Sequence, residues 1–293
     1  MQGRIIKGVG GFYEIEAGGR LYTCRARGKF RREGLTPLPG DFVEFSPGEG
    51  EELGFVGIIL PRRNALKRPA VANVDTLVLV TSARDPEPDL ILLDKLLLSA
   101  RTLGVDIHLV INKCDLSPPD AVAAVAVQYA SAVASVLPMS AANGLGRDEL
   151  LTRLAGRCSC LAGQSGVGKS SILNSLFPER ELATGELSEK TARGRHTTRH
   201  VELLPIPGGG DVADTPGFSL LEVEPMEPAD LPGLYPEFTA YGGQCRFNGC
   251  LHDSEPGCAV KDAVREGKIP AGRWERYREI LKETKETWRN RYD

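Results

Sequence analysis

The chain has 293 residues, of which 41% are apolar and 26% charged; this is the composition of an average soluble protein, and at roughly 100 to 200 residues per domain it predicts two or three domains. Seven scattered cysteines argue against a disulfide framework, and a net charge of −3 argues against a uniformly basic nucleic-acid binder. We find no uncharged apolar run of about 18 residues and no signal peptide, so we expect a cytoplasmic protein without a membrane partner.

Residues 1–68 contain five short segments of strand type, separated by glycine-rich turns: GRIIKGVG, GFYEIEA, RLYTCRARGKF, GDFVEFSPG and FVGIIL. This spacing predicts a small β-barrel of the OB-fold type, a fold that often binds nucleic acid. Twelve Lys and Arg against eight Asp and Glu give the segment a charge of +4. Five of the basic residues lie in CRARGKFRR, and they either contact RNA or face water. They are Arg25, Arg27, Lys29, Arg31 and Arg32.

Residues 69–222 alternate between strand and helix patterns, which predicts an α/β domain built on a parallel sheet. NVDTLVLVTSA is typical of a buried strand, DLILLDKLLLSARTLG of an amphipathic helix, and DIHLVINKCD of the next strand. HVELLPI and GDVADTPG predict a hairpin of two strands around PGGG.

GQSGVGKS, at positions 163–170, has the pattern of a phosphate-binding loop between a strand and a helix. Its glycines permit a tight backbone path in which amide N–H groups surround phosphates at a helix N-terminus. Lys169 would reach the β- and γ-phosphates and meet the negative charge that develops between them, and Ser170 would bind Mg²⁺. The predicted nucleotide contacts of this segment are Gly163, Gln164, Ser165, Gly166, Val167, Gly168, Lys169, Ser170 and Ser171.

NKCD, at positions 112–115, is either an ordinary turn after a strand or a motif that reads guanine. In the second interpretation Asp115 accepts hydrogen bonds from guanine N1–H and the 2-amino group, a donor pair that adenine lacks. Asn112 would address the O6/N7 edge, and the stem of Lys113 would lie along the ring. SAANG, with Ser140 and Ala141, would add a backbone contact to O6.

DTPG, at positions 214–217, is a good turn sequence that follows a predicted strand. In a phosphate-loop protein Asp214 would hold the Mg²⁺ shell, and the Gly217 amide would sense the γ-phosphate. Between this motif and the phosphate loop lies GRHTTRH, where Thr197 or Thr198 would complete the Mg²⁺ coordination.

Residues 223–293 hold a cluster of three cysteines and one histidine with the spacing C-x4-C-x-H-x5-C. Cys245, Cys250, His252 and Cys258 fit one closed, tetrahedral, structural Zn²⁺ site, and the alternative is a set of buried reduced thiols. A terminal helix is predicted from Ala271 to Tyr292. Its apolar stripe would pack on the zinc unit, and its basic residues could meet rRNA phosphate. The stripe is Trp274, Tyr277, Leu281 and Trp288, and the basic residues are Arg273, Arg276, Arg278, Lys282, Lys285, Arg289 and Arg291.

The order NKCD, SA, GQSGVGKS, TT, DTPG, between a small barrel and a Cys/His unit, resembles the RsgA/YjeQ family of circularly permuted GTPases. The resemblance implies a multidomain fold: an N-terminal OB-fold β-barrel (1–68), a central α/β circularly permuted P-loop GTPase domain (69–222) and a C-terminal, mostly α, zinc-binding domain (223–293). It implies hydrolysis of GTP to GDP with Mg²⁺, stimulated by the small ribosomal subunit, whose rRNA both terminal domains would clamp. We expect a monomer.

The position after the Asp-x-x-Gly motif, where many GTPases place a glutamine that orients water, is Phe218, which cannot donate or accept a hydrogen bond. His196, in GRHTTRH, is the candidate catalytic residue, because the resemblance also implies a catalytic histidine at this position; His200 is an alternative, and a solvated loop histidine is another.

Two other functions remain open from the sequence. In the first, the protein is a GTP-dependent RNA-binding switch whose turnover is incidental. In the second, it is a P-loop kinase in which NKCD and DTPG are accidental, which predicts a preference for adenine and an acceptor substrate.

Overall fold

The structure is a computed structural model that describes residues 1–32, 34–48, 52–179, 201–214 and 225–292. The chain divides into two compact units. The predicted division into domains 1–68, 69–222 and 223–293 stays a prediction. The first unit is Met1–Val78, Gly146–Leu161 and Gly168–Ser219, and the second unit is Leu79–Leu145, Ala162–Val167 and Leu220–Asp293.

Five strands of the first unit close into a small barrel, as predicted. β1, β2 and β3 are antiparallel, β5 runs parallel to β3 and antiparallel to β4, and β4 pairs with β1 to close the barrel. Alternate side chains point inward, so that Ile5, Ile15, Val43, Phe45 and Val56 form the core. The strands are β1 Gln2–Val9, β2 Phe12–Ala17, β3 Arg20–Ala26, β4 Phe42–Ser46 and β5 Gly54–Ile59.

The third strand is shorter than the sequence pattern predicts. β3 ends at Ala26, and Lys29–Arg32 form a single helical turn, α1. Phe30 is the reason, because its side chain is 4% exposed and belongs to the barrel core. A straight continuation of the strand would not bend Phe30 back onto that core.

The predicted hairpin of β12 and β13 is confirmed in the first unit. The two strands are antiparallel, and β13 runs parallel to β11. β12 also pairs with barrel strand β1 at Lys7 and Glu202, whose side chains form a 2.7 Å ion pair. Arg4 of β1 pairs with Asp211 of β13. The bounds are β6 Ala65–Leu66, β7 Val71–Ala72, α4 Arg147–Leu154, β11 Cys158–Gly163, α5 Lys169–Leu176, β12 Glu202–Pro205 and β13 Asp211–Asp214.

The second unit contains the alternating strands and helices that the sequence predicts. β9 and β10 are parallel neighbours, and β8 follows β9 in the sheet. The Asp89 carboxylate caps helix α2 by accepting from the Leu92 amide at 2.9 Å, and Gly104 ends that helix at φ 66°. The bounds are β8 Thr76–Ser82, α2 Leu90–Leu103, β9 Asp106–Asn112, α3 Pro119–Tyr129 and β10 Ser135–Pro138.

The C-terminal part of the second unit is mostly helical, as predicted. Its core is an aromatic cluster in which Tyr235, Phe238 and Tyr277 pack with ring centroids 4.9–5.0 Å apart. Within the described ranges no helix is both long enough and apolar enough to cross a bilayer. The helices are α6 Pro236–Thr239, α7 Ala259–Arg265 and α8 Ala271–Arg289, with 3₁₀ turns at Leu231–Leu234 and Asn290–Tyr292.

The terminal helix α8 is attached to α2 by a buried ionic cluster. The Arg273 guanidinium donates to Asp94 at 2.5 Å and to Glu237 at 2.7 Å, and Asp94 also accepts from Arg276 and from the Tyr129 hydroxyl. Arg273 and Asp94 are fully buried. The expectation that Arg273 faces rRNA phosphate is therefore wrong, because its charge is neutralised inside the protein.

The predicted apolar stripe of α8 does pack on the Cys/His region. Tyr277 and Leu281 are at most 1% exposed, and the Trp274 indole N–H donates to the His252 carbonyl at 2.8 Å. Arg278 and Lys285, two of the predicted phosphate contacts, pair with Asp253 at 2.7 and 3.7 Å and stay partly exposed, so their contact with rRNA phosphate stays a prediction.

Candidate functional site

Asn112, the last residue of β9, connects three of the predicted nucleotide motifs within the second unit. Its side-chain amide is 2% exposed and donates to the Val167 carbonyl of the phosphate loop at 2.9 Å. Its side-chain oxygen accepts from the Ala141 amide of the SAANG segment at 3.1 Å. One buried side chain thus holds NKCD, SAANG and the phosphate loop together, and its predicted contact to the guanine O6/N7 edge stays a prediction.

The NKCD segment turns sharply after β9. Lys113 adopts φ 62°, a left-handed conformation that is uncommon for a residue other than glycine, and the Cys114 amide donates to the Met139 carbonyl at 3.0 Å. The turn leaves Asp115 exposed, whereas Ser140 is fully buried. Backbone strain of this kind is typical of ligand sites, and here it accompanies a carboxylate that is accessible to a ligand.

The first part of the phosphate loop, 163–167, lies against other segments of the second unit. A Cβ on Gly163 would lie 2.0 Å from the Val80 carbonyl oxygen, so this position excludes any side chain. The Gln164 side-chain oxygen accepts from the Asp89 amide at 3.1 Å, at the start of α2. Sequence reasoning missed the Asp89 contact, because no local pattern connects positions 75 residues apart.

The second part of the loop belongs to the first unit and starts helix α5. Gly168 has φ 93° and Ile172 donates to its carbonyl, so the helix begins at Lys169, immediately after the loop. The N-terminus of a helix attracts anions, because its N–H groups point away from the helix. Burial lowers the pKa of Lys169 to about 8, and a bound polyphosphate would favour the charged ammonium. Ser170 is half-buried and Ser171 exposed.

The predicted Mg²⁺ and γ-phosphate residues are only partly described. Asp214, the last residue of β13, is half-buried and lies opposite Glu202 in the hairpin. His196, Thr197, Thr198 and Gly217 lie outside the described residues.

The three cysteines and the histidine converge in the second unit, where their ligand atoms lie within 4.8 Å of one another. The Cys258 sulfur is 3.9 Å from the Cys245 sulfur and 3.3 Å from Nδ1 of His252, which is 3.6 Å from the Cys245 sulfur. With Zn–S at about 2.3 Å and Zn–N at about 2.0 Å, the edges of a tetrahedral site are about 3.8 Å for S···S and about 3.5 Å for S···N. The four residues therefore fit a tetrahedral zinc ion.

Protonation in this cluster also suits a metal. Burial lowers the pKa of His252, which favours the neutral imidazole that binds metals. Burial raises the pKa of Cys258, and that of Cys250 to about 12, so an incoming metal has to displace thiol protons. The His252 amide donates to the Cys250 sulfur at 3.4 Å, a contact that stabilises a thiolate.

The loop that carries these ligands is held by Glu255, which the sequence analysis did not identify, and by Tyr277 of the predicted apolar stripe. The Glu255 carboxylate accepts from the Leu251 amide at 3.0 Å and from the Asp253 amide at 2.9 Å. The Tyr277 hydroxyl donates to the Leu251 carbonyl. Glu255 lies between His252 and Cys258 in the sequence. An acidic residue among the turn residues of a ligand loop is the sequence feature that could have identified it.

Comparison with known proteins identifies two family models in the chain. The RsgA GTPase model matches residues 59–224, and the RsgA N-terminal domain model matches residues 2–56. A small ribosomal subunit biogenesis GTPase RsgA from Shouchella clausii is 47% identical over 96% of this chain and 97% of its own. A protein of the same name from Moorella thermoacetica is 46% identical over 97% of both chains.

Two solved structures resemble the whole chain. YjeQ from Thermotoga maritima has a TM-score of 0.83 at 36% identity, and covers 97% of this chain and 98% of its own. YloQ, described as a circularly permuted GTPase, has a TM-score of 0.78 at 36% identity, and covers 97% of this chain and 95% of its own. The motif order, the barrel, the Cys/His cluster and these matches agree, and the chain belongs to the RsgA GTPase family.

Proposed function

We propose that the protein is a GTPase that assists biogenesis of the small ribosomal subunit, with GTP, GDP and Mg²⁺ as its ligands. The observation that carries the nucleotide assignment is the Asn112 side chain, which bonds to both the phosphate loop and the SAANG segment. The names of the relatives support the ribosomal role. That role would place the protein in the cytoplasm, in contact with rRNA, and we expect it to act as a monomer.

Guanine selectivity is assigned to the exposed Asp115 carboxylate. Its two oxygens suit the adjacent N1–H and 2-amino donors of guanine, because an ionised carboxylate only accepts hydrogen bonds. The left-handed turn at Lys113 directs the chain away from β9 just before this residue. We assign Asn112 and Ala141 to the walls of the base site, where they hold the loops in register.

The phosphate side is assigned to Lys169 and to the amides of the loop. The ammonium would neutralise charge that develops on the bridging oxygen, and Mg²⁺, which the family implies, supplies further neutralisation. Ser170 and Asp214, with Thr197 or Thr198, would hold that ion, and Gly217 would contact the γ-phosphate.

His196 would orient the attacking water. Its assignment rests on the family resemblance and on Phe218, which occupies the position where other GTPases use glutamine.

A structural zinc ion in the Cys/His cluster is the third part of the proposal. Cys258 belongs to the hydrophobic core of the C-terminal region, and Cys245 and Cys250 pack against it, so a zinc ion bound by these cysteines and His252 would fix the ligand loop to that core. Four protein ligands leave no open position, so the ion would have no catalytic role.

The test is GTP hydrolysis by the full chain alone, with purified bacterial small subunits, and with large subunits at equal concentration. We expect strong stimulation by small subunits only, together with cosedimentation in the GTP state. Turnover that is identical in all three conditions would refute the ribosomal role. The kinase alternative is disfavoured because NKCD makes direct contact with the phosphate loop, and a comparison of GTP with ATP binding tests it.

A second candidate function is a GTP-dependent RNA-binding switch whose hydrolysis of GTP is incidental. The same assay distinguishes this switch from a GTPase that small subunits stimulate. Small subunits would then bind the GTP form tightly without accelerating hydrolysis.

A further inference from the structure

Five exposed side chains form a continuous row around the outside of the barrel. Strand pairing places Val9 opposite Phe12, Phe12 opposite Arg25, Arg25 opposite Phe55, and Phe55 opposite Ser46. All five residues are exposed, and Phe12 and Phe55 retain 40% and 47% of their accessible surface. We name these five residues the outer row.

The two phenylalanines of the outer row contribute nothing to the barrel core. The core consists of inward-facing residues, and the partly buried residues packed against it are Tyr22, Ala26 and Ile59. An exposed apolar ring gains little free energy from folding. Folding stability therefore does not explain why Phe12 and Phe55 lie side by side with Arg25 on the outer face.

The geometry of the outer row matches a platform on which nucleobases stack. The Arg25 guanidinium lies 4.6 Å from the centroid of the Phe12 ring, so the cation is held over an aromatic face. Phe55 lies on the other side of Arg25, one strand further along the sheet. Since neighbouring strands are about 4.8 Å apart, the two rings are separated by roughly 10 Å.

From this arrangement we infer that the outer row binds single-stranded RNA. One base stacks on the Phe12 ring and another on the Phe55 ring, while Arg25 meets the phosphate between them. Every base has a π-face, so such a platform tolerates sequence variation. The inference rests on the proposed ribosomal function and adds to it the surface and the form of RNA that the barrel recognises.

Charge favours RNA over a protein partner for this surface. The outer row contains no acidic residue, and exposed Arg27 and Arg32 follow Arg25 in the chain. The next row on the same face of β2 and β3 pairs half-buried Glu14 with Thr23. Basic charge therefore continues from Arg25 beyond the end of β3, where a polyanion would gain most, whereas the exposed acidic residue nearest to Phe55 in the chain is Glu52, three positions before it.

The same barrel offers a matched control residue. Leu21 is 63% exposed on the outer face of β3, but its cross-strand partner is Glu16. It is as accessible as the phenylalanines and lacks both an aromatic face and a neighbouring cation. Leu21→Ala therefore removes exposed apolar surface without touching the platform.

The experiment measures binding of the full chain, loaded with GDP, to a fluorescent oligoadenylate of roughly eight nucleotides by anisotropy at several salt concentrations. We expect Phe12→Ala and Phe55→Ala each to weaken binding by about 5- to 100-fold, with an unchanged salt dependence. In Arg25→Gln the affinity should depend less on salt: the negative slope of log K against log salt concentration should become shallower by about 0.7, the contribution of one phosphate contact. Phe12→Trp should bind at least as well as the wild type, and Leu21→Ala should behave as the wild type.

Three results would overturn the inference. The first is a wild-type chain that does not bind the oligonucleotide, and the second is Phe12→Ala and Phe55→Ala variants that bind it normally. The third is a pair of phenylalanine variants that lose affinity for intact small subunits and keep it for the oligonucleotide, since the outer row would then contact a ribosomal protein. Far-UV circular dichroism and the thermal unfolding of the barrel report that each variant is folded, and unchanged intrinsic GTP hydrolysis shows that the nucleotide site is intact.

Different results would refute the RNA-binding role of the outer row and the proposed ribosomal function. If small subunits do not stimulate the wild-type GTPase, the ribosomal role is refuted while oligonucleotide binding by the outer row still stands. If stimulation is normal in the wild type and RNA affinity is equal in wild type and phenylalanine variants, only the outer row is refuted.

Discussion

Replacing Arg273 by methionine tests how the terminal helix is attached to the rest of the second unit. The Arg273 side chain is fully buried, and it donates to Asp94 on α2 and to Glu237 on α6. Its guanidinium also lies 4.7 Å from the centroid of the Tyr235 ring and 5.1 Å from that of Tyr129. Methionine keeps much of the volume and removes the charge.

The size of the effect follows from what remains after the substitution. Asp94 keeps its contacts with Arg276 at 2.8 Å and with the Tyr129 hydroxyl at 2.6 Å, whereas Glu237, 8% exposed, loses its cation. Breaking one side of a buried pair costs about 3–5 kcal/mol, because a desolvated charge is left without compensation. For a protein of this size that loss lowers Tm by about 6–20 °C.

Urea and thermal unfolding, followed by circular dichroism, measure the effect. The control is Lys95→Ala, because Lys95 pairs with Glu283 at 2.6 Å between the same two helices but at the surface. Surface pairs contribute at most about 1 kcal/mol. The double variant Arg273→Met, Glu237→Leu should recover much of the loss, since it removes the unpaired carboxylate. An Arg273→Met protein no less stable than Lys95→Ala would refute the reasoning.

Four further predictions concern ligands and catalysis. Cys250→Ala should lose zinc, measured by metal analysis, and destabilise the C-terminal region while GTP binding persists; a full mole of retained metal would contradict the ligand set. Asp115→Asn should lose affinity for GTP and gain affinity for xanthosine triphosphate, whose 2-oxo group suits an amide donor, and unchanged GTP affinity in calorimetry would remove its role. Because the pKa of Lys169 is about 8 without ligand and phosphate favours its charged form, GTP affinity should fall as pH rises above about 8 in the wild type and not in Lys169→Arg; parallel profiles would disprove this. His196→Ala should bind GTP and small subunits normally yet lose most of the stimulated rate, tenfold for each 1.4 kcal/mol of barrier, and full stimulation would assign the water to another group.

The sequence by itself determined the features that depend on short stretches of chain. The predicted phosphate loop, guanine motif and zinc ligands are short patterns that residue type and spacing define, so they can be proposed without knowledge of the fold. The barrel strands and the helices from Asp89 to Tyr129 follow from local periodicity. Even here Phe30 departs from the prediction, because its burial in the core ended β3 early.

Tertiary structure alone decided which side chains meet. The sequence predicts a base contact for Asn112, and only the structure shows that its side chain also donates to Val167, 55 positions away, and accepts from Ala141. The sequence predicts that Arg273 is one of several surface cations, but the structure buries it against Asp94, 179 positions away. A helical pattern shows which face is apolar, but a long guanidinium on that face reaches water or a buried carboxylate depending on what packs opposite. The outer row is likewise absent from the sequence, because strand register, which the closure of the barrel sets, places Phe12, Arg25 and Phe55 side by side.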